Sequence, residues 1–111
     1  MPDLPLEISC QYVKELLDRG ADFLLLDCRE ADEHAVAKID AARLLPMSEI
    51  QKRLAELDAD RQRQIVVHCH LGGRSLRVAQ WLRENGFHAA QSMSGGIDEW
   101  STNIDAQVPR Y

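Results

Sequence analysis

Two short apolar runs limit what this chain can fold into. They are Phe23-Leu24-Leu25-Leu26 and Ile65-Val66-Val67, the second flanked by Gln64 and His68. A strand with one face in water alternates polar and apolar residues, whereas a strand covered on both faces does not. Both runs therefore predict strands held between helices, the arrangement of a mainly parallel sheet in an α/β fold. Ser9 predicts an N-cap for a helix through Arg19, with Val13, Leu16 and Leu17 on one face and Gly20 ending it. Ser48 with Gln51 reads as a capping box for a helix over about Ser48 to Leu57. Arg74 to Asn85 predicts a third helix, with Leu76, Ala79 and Leu82 inward and Gly86 closing it. Leu6-Glu7-Ile8 and His88 to Met93 read as further short strands, and Glu30 to Lys38 as a loop or short helix. Gly95-Gly96 precedes a helical turn around Asp98-Glu99-Trp100.

The length of 111 residues is that of one domain, so residues 1–111 are read as a single unit. Thirteen Lys and Arg against 18 Asp and Glu give a net charge of −5. That balance argues against nucleic acid as a general partner, although it leaves room for a local anion site. No run approaches the ~18–20 apolar residues of a membrane span, and MPDLPLEIS has no basic stretch leading into an apolar one. The three cysteines, Cys10, Cys28 and Cys69, lack zinc spacing. His68 and His70 flank Cys69, but close neighbours on an extended chain point to opposite sides and make a poor chelate, so no metal is expected. Free thiols suit a reducing cytoplasm.

The segment richest in chemistry is Val67-His68-Cys69-His70-Leu71-Gly72-Gly73-Arg74-Ser75. A cysteine ends a buried strand, a glycine loop turns, and a helix begins. Backbone N–H groups of such a loop make an anion nest, and the helix adds its positive end. A thiolate at Cys69 is stabilised there, and the thiolate is the nucleophile. The duller reading is a buried core cysteine beside an ordinary turn; the whole arrangement favours chemistry. Arg74 is read as a forked grip on an anionic donor rather than a solvated side chain. Capping suffices to explain Ser75, whose hydroxyl could also reach the thiolate. His70 is either a donor-binding group or an exposed loop histidine, and His68 is structural.

Together with Asp27-Cys28-Arg29 after the first buried strand, and Gly95-Gly96 followed by Trp100, this segment resembles the single-domain rhodaneses, a family of sulfurtransferases. The resemblance runs over nearly the whole chain. It implies a rhodanese-like α/β fold with a central parallel five-stranded sheet flanked by helices. It implies that Cys69 takes a sulfane sulfur from a donor such as thiosulfate or a persulfide. Cys69 then carries it as a persulfide to a thiophilic acceptor, cyanide or a thiol. His70, Leu71, Gly72, Gly73, Arg74 and Ser75 would line the substrate site, with Asp27 and Arg29 as structural support. No cofactor is expected.

Four residues separate Cys69 from Arg74, one fewer than in the related cysteine phosphatases. The shorter loop suits one extra sulfur better than a tetrahedral phosphate, which disfavours a phosphatase or an arsenate reductase. Asp98 is too distant in sequence to assign as a general acid. A non-catalytic module that senses sulfane sulfur or binds a protein is the remaining alternative. Cys28 reads as a small buried thiol before a resolving cysteine, Cys10 as a bystander, and Trp81 and Trp100 as packing. Two features depart from the simple pattern. Ala37-Lys38-Ile39-Asp40-Ala41-Ala42 stands where relatives often carry Gly-His-Ile-x-Gly-Ala. The segment after Trp100 looks like rhodanese domains fused to adenylyltransferases, which makes a sulfur-carrier protein a further expected partner.

Overall fold

In the computed structural model, which describes residues 4–111, both apolar runs are interior strands. The first three residues of the N-terminal segment lie outside the described residues. The elements in chain order are β1 (Glu7–Ile8), α1 (Cys10–Asp18), β2 (Phe23–Asp27), α2 (Ala31–Val36), β3 (Arg43–Leu44) and α3 (Ile50–Arg53). A 3-10 segment, Leu54–Asp60, then leads to β4 (Gln64–His68), α4 (Gly73–Glu84), β5 (Ala90–Met93) and α5 (Gly96–Asn103). The sheet order is β1-β5-β4-β2-β3, and every pairing is parallel. The resemblance implied these five strands.

Successive residues of β2 and β4 face opposite sides of the sheet. Leu26, Cys28, Ile65, Val67 and Cys69 pack with Ile50, Leu57, Val78, Ala79 and Leu82, beneath α3 and α4. Phe23, Leu25 and Val66 pack with Val13, Leu16, Ile97 and Trp100 of α1 and α5. Asp27 pairs in register with His68. The next residues therefore leave the sheet side by side: Cys28 N–H donates to His68 C=O at 3.0 Å. This lateral step brings Cys28 next to Cys69 at the carboxyl edge of the sheet, where parallel sheets build their sites.

Several local readings shift. Ser9 caps α1 as expected, accepting from Tyr12 N–H at 3.1 Å. Ser48 caps nothing; its hydroxyl donates to Glu30 Oε1 at 2.7 Å and ties two loops together. The helix there starts at Ile50 behind Glu49 and tightens to 3-10 after four residues. The acidic stretch that follows, Glu56-Leu57-Asp58-Ala59-Asp60, holds two aspartates, which are poor helix formers. In α4 the fully buried face is Ser75, Val78, Ala79 and Leu82, with Leu76 only half-buried. The 37–42 run needs no glycine, because no non-glycine residue among those described has a positive φ. Ala37 and Ile39 are buried instead. Among the described residues, no helix is long and apolar enough to cross a membrane.

Candidate active site

Cys69 follows the last residue of β4, is buried, and faces the start of α4. Its Sγ accepts from Gly72 N–H at 3.1 Å and from Ser75 N–H at 3.3 Å. Gly72 is the N-cap of α4, so no side chain is available there to satisfy the first-turn donors. Ser75 stands three residues beyond it, and its N–H is a donor that an Asp or Ser N-cap would ordinarily receive. The Cys69 sulfur thus does the work of an N-cap side chain. A Cβ at Gly72, where φ is +111°, would sit 3.2 Å from Gly95 N, so the loop passes against the α5 loop there.

Ser75 lies inside the helix and is not its cap. Its Oγ is 3.4 Å from Cys69 Sγ, 3.2 Å from Gly72 O and 2.7 Å from Ser92 Oγ. With the Ser92 hydroxyl donating, the Ser75 proton is free to turn to the sulfur. The N-terminus of α5 closes the other side of the loop. Ile97 N–H donates to Cys69 C=O at 2.9 Å and Asp98 N–H to His70 C=O at 3.1 Å. The Asp98 carboxylate is turned to Arg110, at 3.0 Å.

The three thiols separate electrostatically. A hydrogen bond from the Cys28 thiol, then those from Ser75 and Gly72, outweigh burial and lower the Cys69 thiol from 9.0 to about 4. The same bond, with burial, pushes the Cys28 thiol up. Burial and then the charge of Glu99 raise Cys10 to about 12, and its Sγ donates to the carbonyls of Ser94 and Gly96 at 3.6 Å. At neutral pH the thiolate therefore belongs to Cys69. Thiolate absorbance near 240 nm, taken as wild type minus Cys69→Ser, is expected to rise as pH increases through about 4 and then stay level to neutrality. A step near 9.0, the ordinary thiol value, would contradict this assignment.

Below the loop, Arg29 grips buried Asp27 with a fork, Nε to Oδ1 at 2.9 Å and Nη2 to Oδ2 at 2.7 Å. Arg29 Nη2 also donates to Ala37 C=O, and His34 Nδ1 lies 2.8 Å from Asp27 Oδ2. Asp27 and Arg29 thus bind α2 and the 37–42 run to the sheet edge. Hydrogen bonds from Arg29 and His34, with the nearby charge of His68, overcome burial and hold Asp27 at about 2. His68 is fully buried, with Nε2 4.0 Å from Asp27 Oδ1, and burial pushes its imidazole down.

At the rim, Arg74 does not point freely into solvent. Its Nη1 and Nη2 donate to Glu33 Oε1 and Oε2 at 2.7 and 2.9 Å. Tyr111 OH donates to the same carboxylate at 2.8 Å and accepts from Arg29 Nη1 at 2.8 Å. The His70 ring stacks on Tyr111 with centroids 4.1 Å apart. Leu71 is exposed beside them. The structure thus gathers the 69–75 loop, with Asp27 and Arg29 beneath it. It adds Glu33, Tyr111 and Ser92, which sequence reasoning missed. Only Ser92 carries a local signal, a hydroxyl inside a buried strand.

The Rhodanese-like domain family matches residues 9–103. A sulfurtransferase of Allochromatium vinosum is 33% identical, with 86% of this chain covering 87% of that protein. The maize adenylyltransferase and sulfurtransferase MOCS3-1 is 35% identical over 94% of this chain, which spans only 23% of that longer protein. The human single-domain sulfurtransferase TSTD1 superposes with a TM-score of 0.81 at 26% identity, covering 90% of this chain and 98% of its own.

Proposed function

Because this chain belongs to the rhodanese-like family, we propose that it is a sulfurtransferase whose sulfur is carried by Cys69. The observation that carries this reading is the Cys69 sulfur itself, at the end of a strand and held by two backbone N–H donors. Its thiolate attacks the outer sulfur of a sulfane donor. The donor S–S bond breaks, sulfite leaves from thiosulfate or a thiolate from a persulfide, and Cys69 becomes a persulfide. The terminal sulfur takes the negative charge, and the N–H groups of the 70–75 loop and the positive end of α4 stabilise it. An acceptor nucleophile, cyanide in an assay or a thiol, then attacks that outer sulfur and Cys69 thiolate leaves. A low thiol pKa makes Cys69 a good leaving group, so the same environment serves both half-reactions.

In this reading His70, Leu71, Gly72, Gly73, Arg74 and Ser75 frame the donor, and Asp27 and Arg29 hold the frame. The acceptor in the cell is a thiol or, as the segment after Trp100 suggests, a sulfur-carrier protein. Three free thiols suit a cytoplasmic setting. Intact mass spectrometry after thiosulfate, and separately after cysteine persulfide, tests the scheme. Wild type is expected to gain one sulfur, about 32 Da, and to lose it on adding cyanide. No gain from either donor would remove the proposal.

A further inference from the structure

Arg74 is the cation expected to receive an anionic donor, yet both arms of its fork are already taken by Glu33. A guanidinium binds oxyanions through that fork, so a carboxylate seated on it competes directly with a donor's oxygens. Glu33 is not a loose surface acid. Besides two bonds from Arg74, it accepts from Tyr111 OH at 2.8 Å and from Glu30 N–H at 3.2 Å. Tyr111 is itself fixed by Arg29 and by its stack on His70. Moving Glu33 aside therefore breaks a connected set of bonds rather than one flexible ion pair. The paired charges at the rim, one positive and one negative, sum to zero.

The donor classes respond differently to such a rim. Thiosulfate brings two negative charges and three oxygens that need a free cation. A persulfide brings at most one charge at its reacting end, and the Gly72 and Ser75 N–H groups suffice for it. The rest of the rim, exposed Leu71 and the stacked rings of His70 and Tyr111, offers apolar contact, and the Arg29 cation behind Tyr111 is buried and already paired with Asp27. We propose that Glu33 is a specificity-determining residue that, by occupying Arg74, turns this site away from thiosulfate and toward persulfides of low charge. The inference rests on the sulfurtransferase reading of Cys69.

The test is kcat/KM for sulfur loading of the full chain with thiosulfate and with cysteine persulfide, in wild type and Glu33→Gln. Glutamine keeps the acceptor for Glu30 N–H and removes the charge. Wild type is expected to favour the persulfide. In Glu33→Gln the thiosulfate-to-persulfide ratio is expected to rise about tenfold, less so in high salt. Tyr111→Phe keeps the ring stack but removes one of the two donors that hold Glu33 Oε2, and is expected to move the ratio the same way by about two- to threefold. It also provides the reading if Glu33→Gln does not fold. A ratio unchanged in the folded variants, or a wild type that already favours thiosulfate, overturns the inference and leaves sulfur transfer standing. Failure of both donors to load wild type overturns sulfur transfer itself.

Discussion

Cys69→Ser is expected to abolish sulfur loading and turnover while leaving the protein folded. A serine hydroxyl is not ionised at neutral pH and cannot hold a sulfane sulfur, so turnover falls by at least about a thousandfold, to background. The fold survives because the sulfur's structural task is one that oxygen does well. Cys69 Sγ receives Gly72 N–H and Ser75 N–H at the start of α4, and a serine oxygen is a natural acceptor for first-turn donors. Stability is therefore expected to change by no more than about 1 kcal/mol. Thiocyanate formation and a urea melt on the same preparation check both halves. Turnover retained by the variant would shift the nucleophile to Cys28, whose thiol neighbours Cys69 across β2 and β4.

What could be read from the sequence has a common physical property: it is local. The uninterrupted runs of β2 and β4 report burial on both faces, and Ser9 reports a cap because its partner is three residues away. The strand–cysteine–glycine–helix order reports the cradle around Cys69 because both backbone donors to its sulfur lie within six residues. What was not legible depends on distance. Arg74 meets Glu33 across 41 residues and Tyr111 meets Glu33 across 78. No periodicity records such pairs, so Arg74 read as a free grip on an anion. Ser48 matched the spacing of a capping box, but Glu30, 18 residues earlier, competes for its hydroxyl.

Gly96→Ala is expected to do more damage to stability than Cys69→Ser. Gly95-Gly96 reads in sequence only as a break before the last helix, yet it is where α5 meets the active-site loop. A Cβ on Gly96 would lie 2.3 Å from His70 O, 2.5 Å from His70 C and 2.7 Å from Cys69 O. All three are backbone atoms, so no rotamer change relieves the overlap. The φ of +61° adds strain that any side chain would feel. Moving α5 away breaks the bonds from Ile97 and Asp98 N–H to the same two carbonyls. The expected loss exceeds about 3 kcal/mol, in the range that marks overpacking combined with backbone strain. Two controls separate the contributions. Gly20→Ala has a similar φ of +64° with open space around it, so it carries strain alone, about 1–2 kcal/mol. Gly73→Ala has neither strain nor a neighbour and is expected to be neutral or slightly stabilising at the start of α4. Urea melts of the three variants give the order. If Gly96→Ala lost no more than Gly20→Ala, the loop and α5 would be free to separate, and the carbonyl side of the Cys69 loop would not be held as described. If the order holds, the glycine that admits α5 fixes the loop's carbonyls, and the loop's N–H groups are left facing the sulfur.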